Sequence, residues 1–285
     1  MLNKKCIFAK KLRMKKIIYF AFLGYACLTM QAEDVFRTGP ISRVSPEVKV
    51  EGKVSISGDG SFAVAESDGK LIKINLNDNR IETITEGNSF YNICISDDNK
   101  SVTYTETNFD DSHRRLLTMA TIDIDGKNKR IIANKVRDLA PKKSGTSGRH
   151  SVTIHRGHLV LDGDILDPQG KGSYLWPSVS PDGNSIVYWL TGQGCFVYDI
   201  KTCTPRHIGG MRAAVWLDDE SIIGMYDLDD GRVVTDSRLV AMDLNSGEKQ
   251  LITPESMIAL FPAAGAGRII FSDAEGYLYQ MEISR

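Results

Sequence analysis

Short runs of alternating apolar and polar residues, separated by turn residues, make up most of the chain. The clearest example is residues 177–189, where two strand-like runs flank Pro181-Asp182-Gly183, and a third run follows at residues 195–200. Proline presets φ at the second turn position and glycine accepts the positive φ that follows, so this segment predicts a tight reversal between two strands. No comparable helical periodicity is sustained beyond residue 32. The pattern therefore predicts an all-β protein.

The same order of strand, turn and strand recurs along the chain. Second strands are expected near residues 63, 102, 186, 222 and 269, and only the gap from 102 to 186 is of double length. A further, degenerate unit is expected in that gap, with residues 151–154 or 158–161 as its second strand. Repeats of this length are typical of propeller blades. We predict one six-bladed β-propeller domain over residues 33–285, with a β-sandwich or two small barrels as the alternative.

The last unit ends at Ile283 after its third strand, which would leave an exposed sheet edge. Residues 40–50 precede the first complete unit and alternate as a strand does. We predict that this N-terminal strand joins the last blade, because the pairing would close the ring and satisfy the backbone groups at the seam.

A family resemblance follows from these repeats. Pro177-x-Val179-Ser180-Pro181-Asp182-Gly183, together with Trp216 at the matching position one unit later, resembles the PD-type, WD40-like repeats of the TolB-like six-bladed β-propellers. The resemblance covers most of residues 40–285. It implies a lone propeller of the cell envelope, because the N-terminal α/β domain of TolB has no counterpart here. No partner of the Tol–Pal system is implied, since no partner-binding motif matches.

The N-terminal residues have the pattern of an export signal. Residues 1–32 contain seven Lys or Arg and no acid, and an apolar stretch runs from Ile17 to Met30. That stretch is too short for a hydrocarbon core of about 30 Å but suits a signal peptide ending at Ala32. We expect a periplasmic or envelope protein without a membrane span after signal removal. Lipidation at Cys27 is a second processing route, and a retained amphipathic or single-pass anchor is the alternative.

Charge and cysteine content narrow the range of partners. Of 35 basic and 36 acidic residues, seven basic ones precede residue 33, so the remainder has 28 basic and 36 acidic residues, a net charge of −8. Such a chain would repel nucleic acid, and no clustered basic run offsets this.

Only Cys94, Cys195 and Cys203 follow the signal, so we expect no disulfide framework and interpret all three as small, mostly buried hydrophobes.

Binding residues are expected at one mouth of the central channel, where the inter-blade segments and the loops between second and third strands meet. Aromatic and charged side chains in these segments suit a protein or an oligosaccharide ligand. The alternative is that Tyr91 and Trp176 pack between blades. The predicted rim residues are Tyr91, Arg137, Tyr174, Trp176, Arg212, Asp110, His113, Arg114 and Asp229.

Catalytic motifs are weak in this sequence. It has no G-x-S-x-G elbow, and no histidine recurs at equivalent positions of successive units. His150, His155 and His158 cluster in the degenerate unit, but spacings of five and three along strands send side chains to different faces. We therefore expect no metal or other cofactor. The prediction is a monomeric, non-catalytic binding or scaffold protein for an envelope protein or oligosaccharide. A metal-dependent propeller lyase or hydrolase that uses these histidines on a polysaccharide is the alternative.

Overall fold

The computed structural model of the protein describes residues 34–139, 150–229, 232 and 234–285. Within these residues there are 24 β-strands in six sheets and no helix, so the prediction of an all-β, six-bladed propeller is confirmed. None of the described segments is a helix of the length and apolarity that crossing a membrane requires. The predicted export signal, including Cys27, lies outside the described residues.

Each blade is an antiparallel sheet whose strands pair in chain order. Two short strands, β1 (Arg37–Thr38) and β2 (Ser42–Arg43), precede the first blade. Blade one contains β3 (Ser55–Ile56), β4 (Phe62–Ser67), β5 (Lys70–Asn75) and β6 (Ile81–Glu86). Blade two contains β7 (Phe90–Ile95), β8 (Ser101–Phe109), β9 (Arg115–Asp123) and β10 (Arg130–Val136). Blade three contains β11 (Val152–His155), β12 (His158–Leu161) and β13 (Asp164–Ile165).

The second half of the ring repeats this arrangement. Blade four contains β14 (Tyr174–Val179), β15 (Ser185–Leu190), β16 (Gly194–Asp199) and β17 (Thr204–Gly209). Blade five contains β18 (Arg212–Trp216), β19 (Ser221–Asp229), β20 (Val234–Asp243) and β21 (Lys249–Leu251). Blade six contains β22 (Leu260–Gly265), β23 (Arg268–Ser272) and β24 (Leu278–Ser284).

The turn between first and second strands explains why the repeat is readable. In blade four the Ser180 hydroxyl donates to Asp182 Oδ1 at 2.6 Å, and the Gly183 amide donates to the Ser180 carbonyl at 2.9 Å. Gly183 has φ of 78°, which glycine adopts without strain. Ser96 and Asp98 make the same hydroxyl–carboxylate bond in blade two. Serine, aspartate and glycine therefore fix this turn by local chemistry.

Stability at acidic pH should depend on these turn aspartates. Hydrogen bonds from neighbouring serine hydroxyls hold the pKa values of Asp59, Asp98 and Asp182 below their ordinary value. A carboxylate with a lowered folded-state pKa contributes stability above its unfolded pKa, and this contribution is lost as pH falls through the folded value. The melting temperature should therefore drop as pH decreases below about 4. In an Asp59→Asn/Asp98→Asn/Asp182→Asn variant that drop should be smaller, and an equal drop in calorimetry would contradict this role.

In four blades the first strand, which we call the inner strand, contains a bulge that the sequence does not signal. Asn92, Trp176, Ala213 and Phe261 have φ of 51°, 52°, 48° and 49°. Each lies where the register between first and second strands shifts. None is a glycine, so the fold imposes a left-handed conformation that costs of order 1–3 kcal/mol for such residues.

The four bulge residues occupy equivalent positions in blades two, four, five and six, and Lys53 of blade one stands at the same position without the bulge. The predicted second-strand positions pair with the inner strands as Ile56↔Ala63, Ile95↔Val102, Val179↔Ile186, Trp216↔Ile222 and Ala264↔Ile269. Counting three residues back from each inner-strand partner gives Lys53, Asn92, Trp176, Ala213 and Phe261, which we call the inner ring.

Blade three resolves one of the open alternatives. At the start of β14 the Tyr174 amide donates to the Gly157 carbonyl in the β11–β12 turn at 2.9 Å. In other blades, the backbone amide at or before the start of the first strand donates to the turn between the second and third strands of the preceding blade. Examples are Val50 to Gly276 at 2.8 Å and Gly87 to Gly69 at 2.9 Å. By this criterion β11 is the second strand, which favours residues 151–154 over residues 158–161. Residues 140–149 lie outside the described residues.

The N-terminal segment closes the ring, as predicted. Both β1 and β2 pair antiparallel with β24, so pairing begins at Arg37, slightly earlier than the predicted residues 40–50. Phe36 is 1% exposed and belongs to the core that blades five and six share. The Gln250 side chain accepts from the Phe36 amide at 2.9 Å and donates to its carbonyl at 2.8 Å. The first described residues thus connect the last two blades.

The prediction that all three cysteines are buried is wrong for two of them. Cys195 is buried, and burial raises its pKa to about 12. Cys94 and Cys203 are exposed, and no disulfide forms among the described cysteines. The reason is position: Cys94 lies on the inner strand β7, and Cys203 lies in the turn between β16 and β17 with φ of 57°.

Candidate functional site

Two members of the inner ring meet across the centre of the propeller. Lys53 Nζ lies 5.9 Å from the centroid of the Trp176 ring. Lys53 precedes the inner strand of blade one and Trp176 lies in that of blade four, which are opposite blades of a six-membered ring. Trp176 also packs against the core that contains Ala213 and Met225. The contact therefore spans the central channel from a cation on one side to an aromatic face on the other.

Lys53 is solvent-exposed, yet it is largely surrounded by protein. Its surface is accessible to solvent, but burial lowers its pKa to about 8, because the surrounding protein disfavours the charged form. The exposed surface and the lowered pKa agree if Lys53 faces water inside the channel instead of bulk solvent. The contact with Trp176 supports this location in the channel. Desolvation alone shifts this pKa, and no described carboxylate offsets it. Lys53 is thus an ammonium group without an ionic partner among the described residues.

Blade two presents a second cation over an aromatic ring. The Arg115 guanidinium carbon lies 5.2 Å from the centroid of the Tyr91 ring, and Tyr91 directly precedes Asn92 of the inner ring. Burial raises the pKa of Tyr91, and the Arg115 charge opposes this shift. Arg115 also donates to the Thr107 hydroxyl at 3.5 Å and hydrogen-bonds with the Tyr91 side chain. No described carboxylate pairs with Arg115, so this cation is also available to an anionic ligand.

Four predicted rim residues lie in or near the loop between β8 and β9 of blade two, namely Asp110, His113, Arg114 and Arg137. Arg114 Nε donates to Asp110 Oδ2 at 2.8 Å, and the His113 amide donates to the Asp110 carbonyl at 2.9 Å. The Arg114 backbone amide is the largest cause of the lowered pKa of Asp110, and the charge of Arg137 adds to it. The Asp110 carboxylate is therefore engaged within its own loop.

Arg212 is the rim residue of blade five, at the position equivalent to Tyr91. Its Nη1 donates to Asp227 Oδ2 at 2.5 Å, and its guanidinium carbon lies 5.4 Å from the Trp189 ring centroid. The Asp227 side chain is only 4% exposed, and its Oδ1 has no partner among the described residues. The ion pair therefore fixes Arg212 against the aromatic ring.

Tyr174 is placed differently from the prediction. It is fully buried, its hydroxyl donates to the Gly170 carbonyl at 2.9 Å and accepts from the Gln169 amide at 3.1 Å, and its ring packs on Tyr188. Tyr174 therefore supports the interior of the blade instead of forming its surface. The side chain of Asp229 is outside the described part of the molecule.

The structure thus places three predicted residues, Tyr91, Trp176 and Arg212, in the inner strands of blades two, four and five. Each is at the inner-ring position or directly before it. Sequence reasoning missed their partners, which are Lys53, Arg115, Trp189 and Asp227. Only Lys53 had a sequence signal, because it stands three residues before Ile56 as Trp176 stands three before Val179. The pairing between first-strand and second-strand residues depends on the bulge, and no sequence pattern marks the bulge.

A cavity of about 610 Å³ lies away from these residues. Asp59, Gly60 and Gly267 in its lining belong to turns between first and second strands, so it opens on the opposite face, at the seam of blades six and one. None of the predicted rim residues lines this cavity. The cavity and the channel mouth are therefore separate features.

Comparison with known proteins identifies related folds. No family model matches the chain, and no curated protein matches it. A solved oligogalacturonate lyase in complex with manganese is similar with a TM-score of 0.53 and 13% identity, covering 85% of this chain and 79% of that chain. An oligogalacturonate lyase from Vibrio parahaemolyticus is similar with a TM-score of 0.53 and 14% identity, covering 87% of this chain and 96% of that one. This likeness is one of fold.

A candidate TolB of Agrobacterium tumefaciens is also similar, with a TM-score of 0.35 and 14% identity over 83% of this chain and 77% of that chain.

The manganese of the first lyase raises the question of a metal site here. Across residues 34–139 and 150–229 and the described C-terminal part, no three His, Cys, Asp or Glu side chains are grouped so that they could hold a metal ion. The described residues do not fit a three-ligand metal centre.

Proposed function

We propose that the protein binds an acidic oligosaccharide at the channel mouth and performs no chemistry on it. The observation that carries this proposal is the pair of cations on aromatic faces, Lys53 on Trp176 and Arg115 on Tyr91, neither of which has a described carboxylate partner. A cation that surrounding protein partly desolvates gains most from an anion that completes its environment. The channel mouth therefore favours a ligand that brings its own carboxylates.

A sugar ring with a carboxylate matches both halves of this arrangement. The apolar face of a pyranose packs on an aromatic ring, and its carboxylate forms charge-assisted hydrogen bonds with an ammonium or a guanidinium. A neutral oligosaccharide would use only the rings, and an acidic peptide only the cations. The fold likeness to two oligogalacturonate lyases supports the choice, since the name of those enzymes specifies an acidic sugar chain.

The overall charge shapes how such binding would behave. Beyond residue 32 the chain has a net charge of −8, so an anionic ligand is not drawn in by the long-range field. Affinity would depend on the local cations, and added salt would weaken it as it screens exposed charges.

We further propose that the protein is exported to the periplasm or cell envelope, as the sequence of residues 1–32 indicates, and that it acts there as a monomer.

The alternative function is a polysaccharide lyase, which the fold likeness to oligogalacturonate lyases favours. The described residues lack a three-ligand metal group, and this supports the binding function over metal-dependent lyase chemistry. The two functions predict different fates for the same ligand. A binding protein returns the oligosaccharide unchanged, whereas a lyase introduces a carbon–carbon double bond at the cleaved end.

Titration calorimetry with oligogalacturonate and its fully methyl-esterified form tests this proposal. We expect binding of the acidic chain and at least tenfold weaker binding of the ester, because esterification removes the carboxylates that pair with Lys53 and Arg115. Ultraviolet absorbance of the same mixtures should show no unsaturated product. Equal affinities, or no binding of either chain, would refute the proposed ligand. Unsaturated product would instead establish the lyase alternative.

A further inference from the structure

Two histidines of blade three face each other across a hairpin. His155 and His158 are Cα partners at the end of the β11–β12 ladder, joined by Arg156 and Gly157 with φ of 52° and 83°. Positive φ at both central residues is typical of a two-residue type I′ turn. Partners across an antiparallel ladder project to the same face with Cβ atoms about 5 Å apart. The expectation that these side chains lie on different faces is therefore wrong, because a turn separates them.

A carboxylate faces the same ring nitrogen of each histidine. His158 Nδ1 lies 2.5 Å from Asp167 Oδ2, and Asp167 Oδ1 accepts from the Leu159 amide at 2.9 Å. His155 Nδ1 lies 3.8 Å from Asp138 Oδ1, and Asp138 Oδ2 accepts from Arg156 Nε at 2.9 Å. At His158 the hydrogen-bonded carboxylate favours the tautomer with the proton on Nδ1 and leaves the Nε2 lone pair free, which is the usual arrangement of a metal-binding histidine. Asp138 lies beyond hydrogen-bond distance of His155 Nδ1.

Both rings are open to solvent. The side chains of His155 and His158 are 22% and 32% exposed, and neither Nε2 has a partner among the described residues. Asp167 is engaged by His158 Nδ1 and Asp138 by Arg156 Nε, so this set supplies two nitrogen ligands. This is consistent with the lack of a three-ligand group in the described part of the chain. An ion held here would keep its remaining positions for water or for another molecule.

We propose that His155 and His158 form a two-nitrogen site for Zn²⁺, with Asp167 as a positioning residue. Imidazole ligands suit zinc, and neutral histidine with a second-shell carboxylate is its common protein donor. The site is open and has two protein ligands, whereas catalytic zinc centres typically have three. It is independent of oligosaccharide binding at Lys53 and Trp176.

Zinc titration of the purified, metal-free protein tests this site. We expect one Zn²⁺ per chain, an affinity at least tenfold lower in His155→Ala and in His158→Ala, and a loss of about 10–100-fold in Asp167→Asn. His150→Ala is the matched control, because His150 Nδ1 also faces a carboxylate, Asp162 Oδ2 at 2.6 Å, but has no histidine across the ladder. It should leave zinc affinity unchanged.

Copper provides a second readout that a folding defect would not mimic. The electron paramagnetic resonance spectrum of the Cu²⁺ complex should show coupling to two imidazole nitrogens in the parent protein and to one in each single variant. No zinc binding by the parent, an equal loss in His150→Ala, or coupling to a single nitrogen in the parent would overturn the proposal. Melting temperatures of all variants identify any that fail to fold, and the copper spectrum of the parent then decides.

Discussion

Phe36→Ala is expected to lower the free energy of unfolding of the whole propeller by about 3–5 kcal/mol, the usual cost of removing a buried aromatic side chain. Phe36 is 1% exposed and packs in one core with Ile223 of blade five and Phe271 of blade six. Its backbone is also held by Gln250 of β21. Loss of this side chain therefore loosens the closure between the first and last parts of the chain.

Denaturant unfolding followed by tryptophan fluorescence and circular dichroism measures this effect. Trp189 and Trp216 belong to a core of blades four and five that does not include Phe36, so a shift of their transition reports beyond the site of substitution. Arg37→Ala is the matched control, since the adjacent Arg37 is exposed and should change stability by no more than about 0.5 kcal/mol. A shift of less than about 1 kcal/mol for Phe36→Ala, or separate transitions for the two probes, would refute closure by this segment.

Lys53→Met should weaken binding of oligogalacturonate by about 10–100-fold, the loss expected when a charged hydrogen bond of about 1.5–3 kcal/mol is removed. Methionine keeps much of the length and apolar area of lysine but carries no charge. The effect should depend on pH, because the parent lysine has a pKa of about 8. Affinity of the parent should therefore fall as pH rises through 8, while Lys53→Met binds weakly at every pH.

Calorimetric titrations between pH 6 and pH 10 test this dependence, with the range chosen to bracket the pKa of about 8. Lys53→Arg should retain binding and lose most of the pH dependence, because a guanidinium stays charged across this range. Lys100→Met is the matched control, since Lys100 lies in the turn between β7 and β8 on the opposite face. Unchanged affinity in Lys53→Met would place the ligand elsewhere, as would an equal loss in Lys100→Met.

The blade architecture was predictable because its signals are local. Ser180, Asp182 and Gly183 form their turn with their own hydroxyl, carboxylate and left-handed backbone, so the turn can be recognised in any blade. The closing strand was predictable for a related reason, as an unpaired edge after Ile283 requires a partner. The degenerate third blade was harder to locate, and its first described strand is recognised only by the bond from Tyr174 to Gly157.

The site was less predictable because its contacts are non-local. Lys53 and Trp176 meet only because the ring closes, and a left-handed backbone at Trp176 has no marker in a sequence that lacks glycine there. Tyr174 resembles a rim residue in sequence, but its hydroxyl is satisfied internally by Gly170 and Gln169. The pairing of His155 with His158 depends on reading Arg156-Gly157 as a turn, for which the glycine was the available signal.

The ionisation of Lys53 in the presence of ligand tests the central claim most directly. Carbon-13 dimethyl labelling of lysines, with the Lys53 resonance assigned from its loss in Lys53→Arg, reports the pKa by nuclear magnetic resonance. We expect a value near 8 in the free protein, raised by about one unit with oligogalacturonate, since a nearby carboxylate favours the charged form. The methyl ester should leave it unchanged. An unshifted Lys53 pKa at saturating oligogalacturonate would contradict binding of an acidic ligand in the channel.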